Sequence, residues 1–140
     1  MQLSRESGLL FFPWKLPMLD VLVVDDEESI RRVVRAALEM DGLTAIAVAD
    51  AETALALFRE STPRLVVADI FLPDMDGIEL LTALRREAPD IPVVLMSGGG
   101  RYGNVSPLMA AKHLGATATL EKPFTPKELV EVVRKALGAD

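Results

Sequence analysis

LDVLVVDDEESIRRVVRAALEMDG, residues 19–42, decides the fold. Residues 19–24 form an apolar run rich in branched side chains, broken only by Asp20, as expected of a strand covered on both faces. A helix follows over residues 28–40. Ile30, Val33, Val34, Ala37 and Leu38 recur there at three- and four-residue spacing, while Arg31, Arg32, Arg35 and Glu39 lie elsewhere around the cylinder. Asp41-Gly42 ends it. A doubly covered strand followed by an amphipathic helix is one βα unit of a parallel sheet.

The same unit repeats down the chain. A second strand at residues 44–48 leads to Asp50, which reads as the N-cap of a helix through Ala54, Leu55, Leu57 and Phe58, and Pro63 closes that unit. A third strand at 65–68 reaches Asp69. The loop Leu72-Pro73-Asp74-Met75-Asp76-Gly77 then precedes a helix with Ile78, Leu81 and Leu84 on one face. Asp74 and Asp76 are expected to shape this loop and cap that third helix. A fourth strand at 91–96 ends at Ser97, a glycine-rich loop follows, and a helix spans about 106–114 until Gly115. After a fifth strand at 116–120, Thr125-Pro126-Lys127-Glu128 reads as a capping box with proline at the first helical position, opening a helix to about Leu137. The prediction is an α/β domain of five βα units, a doubly wound parallel sheet with helices on both faces.

Composition agrees with a single domain. At 140 residues and half apolar, the chain buries about two-thirds of its unfolded surface on folding. There is no cysteine, so thiolate metal sites, disulfides and a cysteine nucleophile are excluded, and the expected compartment is the cytoplasm. Fifteen basic against 21 acidic residues leave a net charge of −6, the wrong sign for wrapping a phosphate backbone, so no direct nucleic-acid contact is expected. Residues 1–18 read as an N-terminal extension, either a tail or an over-extended start, and residues 19–140 as the domain. Pro13, Lys15 and Pro17 interrupt its apolar stretch, which is too short to cross a bilayer, and no membrane partner is expected. A docking peptide is the alternative, because Phe11, Phe12 and Trp14 cluster.

Five polar residues stand at or just past the C-terminal ends of the apolar runs: Asp25, Asp26, Asp69, Ser97 and Lys122. In an open parallel sheet with right-handed crossovers those ends form one edge, where the ligand crevice lies. Adjacent carboxylates leaving a buried strand repel one another, and a divalent cation relieves that. Three carboxylates with no Cys or His nearby suit Mg²⁺ or Mn²⁺ rather than zinc. Adding the Lys122 charge and the Ser97 hydroxyl gives a set that can hold a phosphoryl group, with Asp69 as nucleophile. Each residue alone has a plainer reading: Asp25 and Asp26 as helix caps, Ser97 as a strand-end hydroxyl, Lys122 as a solvated lysine. His113, the sole histidine, reads as a surface or packing residue.

Val23-Val24-Asp25-Asp26-Glu27, Asp69 ahead of Leu72-Pro73-Asp74-Met75-Asp76-Gly77, Met96-Ser97-Gly98 and Leu120-Glu121-Lys122-Pro123-Phe124 together resemble the receiver domain of two-component response regulators. The resemblance covers about residues 19–138. It implies a flavodoxin-like sheet of strand order 2-1-3-4-5. It implies that Asp69 accepts a phosphoryl group from a sensor histidine kinase or a histidine phosphotransfer protein. It further implies that Asp26, Asp69 and the backbone carbonyl of Phe71 contact Mg²⁺ directly, with Asp25 partly through water, that Ser97 is a switch hydroxyl, and that Lys122 binds phosphate ahead of a cis bond to Pro123.

Two positions depart from the family. Thr119 stands where an aromatic switch partner is usual, so the output face is expected to change by backbone and loop shifts. Four glycines lie among residues 98–103, beginning with Gly98, and phosphorylation is expected to order this loop, with Tyr102 a candidate for the missing aromatic. Thr117 and Ala118 replace acidic residues that support dimer salt bridges in DNA-binding regulators, which predicts a monomer or weak dimer. Pro107, Leu108, Met109 and Leu114 suggest an apolar contact for an unidentified output protein, and the chain length suggests a stand-alone regulator. Other classes fit less well. A receiver-like module that is never phosphorylated is opposed by the intact Asp, Ser and Lys set. An aspartyl-phosphate phosphatase needs an acid where Phe71 stands, and a flavin domain needs a phosphate loop where Asp25-Asp26 repel phosphate.

Overall fold

Five strands, β1 (Val21–Val24), β2 (Ala45–Val48), β3 (Leu65–Asp69), β4 (Val93–Ser97) and β5 (Ala118–Glu121), alternate with α1 (Glu28–Met40), α2 (Ala51–Ser61), α3 (Gly77–Glu87), α4 (Pro107–His113) and α5 (Pro126–Leu137). They belong to a computed structural model, which describes residues 18–98 and 107–138. All pairings are parallel and the strand order is β2-β1-β3-β4-β5, so the direction of winding reverses beside β1. This is the expected doubly wound sheet.

Strand parity divides the core into two layers. Leu22, Val24, Val66, Ala68, Val93 and Leu95 point to one face and pack with Ala54 and Phe58 of α2, Leu80, Leu81 and Leu84 of α3, and Ala111 of α4. Val21, Val23, Leu65, Val67, Val94 and Met96, one residue out of phase, pack on the other face with Val34, Ala37 and Leu38 of α1 and Leu129 and Val133 of α5. Because both faces are covered, the central strands carry no polar face, which is why they read as unbroken apolar runs.

The ladders are offset from those runs. Leu19, Ile91 and Ala116 are buried but precede their strands, since apolarity reports burial and a ladder needs a neighbour at the same level. At the other end, Asp69 and Ser97 are the last residues of β3 and β4 rather than the first beyond them. Helix ends follow local chemistry. Asp50 accepts from Thr53 N at 2.7 Å, and Asp76 accepts from Glu79 N at 2.8 Å. In α5, Thr125 and Glu128 form the reciprocal capping box, Pro126 follows, and Gly138 closes the helix in the left-handed conformation at φ 75°. No helix among the described residues is long and apolar enough to cross a membrane.

Candidate functional site

Register alone brings the polar residues together. Val24 pairs with Ala68, so Asp25 and Asp69 leave neighbouring strands side by side. Asp69 pairs with Met96, Ser97 with Glu121, and Lys122 follows Glu121 directly. Lys122 N donates to the Ser97 carbonyl at 2.7 Å, which fixes where the lysine leaves the sheet edge. The Lys122–Pro123 peptide is cis.

From there the lysine side chain reaches back across β4. Its Nζ lies 2.8 Å from Asp25 Oδ2 and 2.9 Å from Asp69 Oδ2. The remaining oxygens are held by backbone: Asp25 Oδ1 accepts from Glu27 N at 2.9 Å, and Asp69 Oδ1 from Phe71 N at 3.0 Å. Asp26 completes the cluster from an exposed position, and one carboxylate oxygen from each of Asp25, Asp26 and Asp69 lies within 4.8 Å of the others. Neither Asp25 nor Asp26 caps α1; Glu27 occupies that position and makes no side-chain cap. Ser97 is fully buried at the same edge, Gly98 beside it is exposed, and Thr119 is half-buried on β5.

Burial governs the electrostatics. Asp25 is inaccessible to solvent, and burial pushes its carboxyl above the usual carboxylate range, with the Asp69 charge adding to the push, although Lys122 and the Glu27 amide pull the other way. For Lys122, burial disfavours the ammonium, but hydrogen bonds to Asp25 and Asp69 outweigh it and hold its pKa above the usual lysine value. Three carboxylates against one ammonium leave an excess of two negative charges at a site made of oxygen donors. Those residues fit a hard divalent cation.

Three contributions were not read from the sequence. Arg31 on α1 donates to the Asp25 carbonyl at 2.8 Å; the helical pattern placed it off the apolar face without giving it a target. Gly77 packs against the end of β3, where a Cβ would stand 2.6 Å from the Asp69 carbonyl oxygen and 2.7 Å from Ile70 Cα. Asp74 corrects an expectation. Only Asp76 caps α3, while the Asp74 carboxylate crosses to α2 and accepts from Ala51 N at 3.0 Å and Glu52 N at 2.9 Å. Thr117, exposed just ahead of β5, accepts with its Oγ1 from Val93 N at 3.0 Å. His113 is exposed at the end of α4, as are Met109 and Leu114. Residues 1–17, most of the glycine-rich loop and Tyr102 lie outside the described residues.

Known proteins share both sequence and geometry. The family model described as response regulator receiver domain matches residues 21–134. The chain is 38% identical over 117 residues to the probable transcriptional regulator ycf27 of Porphyridium aerugineum, covering 84% of this chain and 47% of that protein. It is 41% identical over 120 residues to the nitrogen assimilation regulatory protein NtrX of Azorhizobium caulinodans, covering 84% of this chain and 26% of that protein. The chain therefore spans about half the length of its ycf27 relatives and about a quarter of NtrX. Among solved structures, the receiver domain of NtrX from Brucella abortus superposes with a TM-score of 0.78 at 37% identity, over 86% of this chain and all of that one. The chemotaxis response regulator CheY4 of Vibrio cholerae gives 0.75 at 29% identity, over 86% and 99%. With the match running from the first residue of β1 into α5, this chain belongs to the response regulator receiver domain family.

Proposed function

We propose that the domain accepts a phosphoryl group on Asp69 from a phosphohistidine of a sensor histidine kinase or histidine phosphotransfer protein, and that it signals through a phosphorylation-dependent protein contact. The observation that carries this reading is the acceptor's environment: a nearly buried carboxylate, salt-bridged to Lys122 at 2.9 Å and set among two further carboxylates. In the transfer step an Asp69 oxygen attacks phosphorus, the P–O bond forms, the P–N bond to imidazole breaks, and the imidazole nitrogen keeps the electron pair and takes a proton. Lys122 neutralises charge on the incoming phosphoryl oxygens, which requires its ammonium to exchange a carboxylate oxygen for a phosphoryl one. Asp25, Asp26, Asp69 and the Phe71 carbonyl would hold Mg²⁺ or Mn²⁺, which supplies further charge neutralisation when bound. Ser97 would hydrogen-bond a phosphoryl oxygen, with Gly98 giving its loop freedom to follow.

Thr119 lines a groove of about 390 Å³ with Lys112, Val132, Lys135 and Ala136, between α4, β5 and α5. With threonine in place of an aromatic ring, the proposed readout is a shift of the loop after Ser97 rather than a ring swinging into this groove. The test of the core claim is incubation with a small phosphodonor and Mg²⁺ followed by intact mass measurement. A one-phosphate adduct on the wild type that is missing from Asp69→Asn is expected; equal labelling of both sinks the assignment.

A further inference from the structure

Residues 70–77 form a closed turn laid against Asp69. Gly77 N donates to the Ile70 carbonyl at 2.6 Å, Phe71 and Asp76 pair as an antiparallel bridge, and Phe71 N donates to Asp69 Oδ1 at 3.0 Å. Asp74 stands at the tip of this turn, on the side away from its two closed ends. Its two oxygens take the first two amides of α2, those of Ala51 and Glu52. The third amide, Thr53 N, already belongs to Asp50, the helix's own N-cap.

Asp50 satisfies the Thr53 amide alone, so the Ala51 and Glu52 amides of the first turn are left to Asp74. The same two bonds tie the turn to the helix. α2 is a firm anchor: Ala51, Ala54 and Phe58 sit in the core. The N-terminal amides of such a helix hold a carboxylate by hydrogen bonding and by the helix dipole together. A turn closed at its base and pinned at its tip cannot pivot over Asp69.

We infer that Asp74 is a positioning residue for the acceptor site: by tying the tip of the 70–77 turn to the N-terminus of α2, it holds the Phe71 backbone in register with Asp69 and so sets cation affinity there. The cation arm of this inference rests on the function proposed above; the pinning of the Phe71 backbone does not.

The test compares Asp74→Ala with Asp50→Ala, which removes a cap from the same helix without touching the turn. Amide hydrogen exchange is followed at Phe71, and Mn²⁺ binding by calorimetry on the unphosphorylated protein. Asp74→Ala is expected to speed exchange at Phe71 and to weaken Mn²⁺ binding roughly tenfold, in the range seen when groups supporting metal ligands are removed. Asp50→Ala is expected to lower the unfolding midpoint while leaving Phe71 exchange and Mn²⁺ affinity at wild-type values. Asp74→Asn, which keeps one acceptor oxygen, should fall between, and serves if the alanine variant does not fold. Unchanged exchange in Asp74→Ala, unchanged Mn²⁺ affinity in a wild type that binds the ion, or equal effects from Asp50→Ala would each overturn the inference. A wild type that binds no Mn²⁺ overturns the cation reading instead, and the exchange comparison still decides whether Asp74 pins the turn.

Discussion

Asp25 is buried without solvent access, and burial lifts its pKa above the ordinary 3.8. The folded protein thus holds that proton more tightly than the unfolded chain, so stability falls as pH rises from 3.8 through the folded value and stays lowered at neutral pH. Asp25→Asn removes that cost while Lys122 keeps Asp69. Without Mg²⁺, the urea midpoint at pH 7 should rise, and the advantage should vanish once the pH falls below 3.8. A lower midpoint would show that the Lys122 pairing outweighs burial. Gly77 is constrained by space alone. In Gly77→Ala the new methyl meets backbone of Asp69 and Ile70, which cannot rotate away, so denaturant unfolding should report a loss of about 1–3 kcal/mol. Phe71, two residues past Asp69, is 40% accessible. If Asp69 is phosphorylated as proposed and the ring screens the acyl phosphate from water, Phe71→Ala should shorten the phosphoryl lifetime several-fold, read by intact mass against time; an unchanged lifetime removes the ring from the mechanism.

Helix ends carry more chemistry than their exposure suggests. The α5 capping box satisfies two orphan amides reciprocally just after the segment that carries Lys122. Thr125→Ala should cost about 1 kcal/mol in urea unfolding and leave the metal affinity of the site unchanged, because Lys122 is placed by β5 and not by the cap. The α2 terminus behaves differently with pH. The Ala51 and Glu52 amides hold the Asp74 carboxyl below the ordinary 3.8, so its contribution is present above that value and fades as pH falls through the lower folded one. Acid titration of stability should therefore be shallower in Asp74→Asn than in the wild type, and parallel curves would mean that the two amide bonds do not persist in solution. At the C-terminal end of α1, Arg134 of α5 reaches the C-cap residue, with Nε 2.7 Å from Asp41 Oδ2 and Nη2 2.7 Å from the Asp41 carbonyl. That ion pair is partly exposed and worth little by itself; α1 and α5 are joined chiefly by the apolar layer they share.

For the whole molecule, the site exists only because β1, β3, β4 and β5 end at one edge. A cation bound there cross-links β1 to β3 in the folded state and finds no such set in the unfolded chain. Mg²⁺ at about a hundred times its Kd should raise unfolding free energy by about 2.7 kcal/mol, and Asp26→Asn should abolish most of that shift. An undiminished shift in Asp26→Asn would place the ion elsewhere. The alternation of strands and helices was legible in the chain because it is local: buried runs, three- and four-residue spacing, and Asp50 and Thr125 at helix starts. The carboxylates, serine and lysine were legible as site candidates because each follows a buried run, and one parallel sheet gathers such positions on one edge. Contacts between distant segments were not legible. That Lys122 Nζ bridges Asp25 and Asp69, that Arg31 reaches the Asp25 carbonyl, that Asp74 caps α2 rather than α3, and that Gly77 lies against the end of β3 all depend on which segments become neighbours and at what level. Periodicity and capping preferences reach only about four residues along the chain, and they determined the elements and their order. Register and helix docking join residues tens of positions apart, and they decided which groups touch.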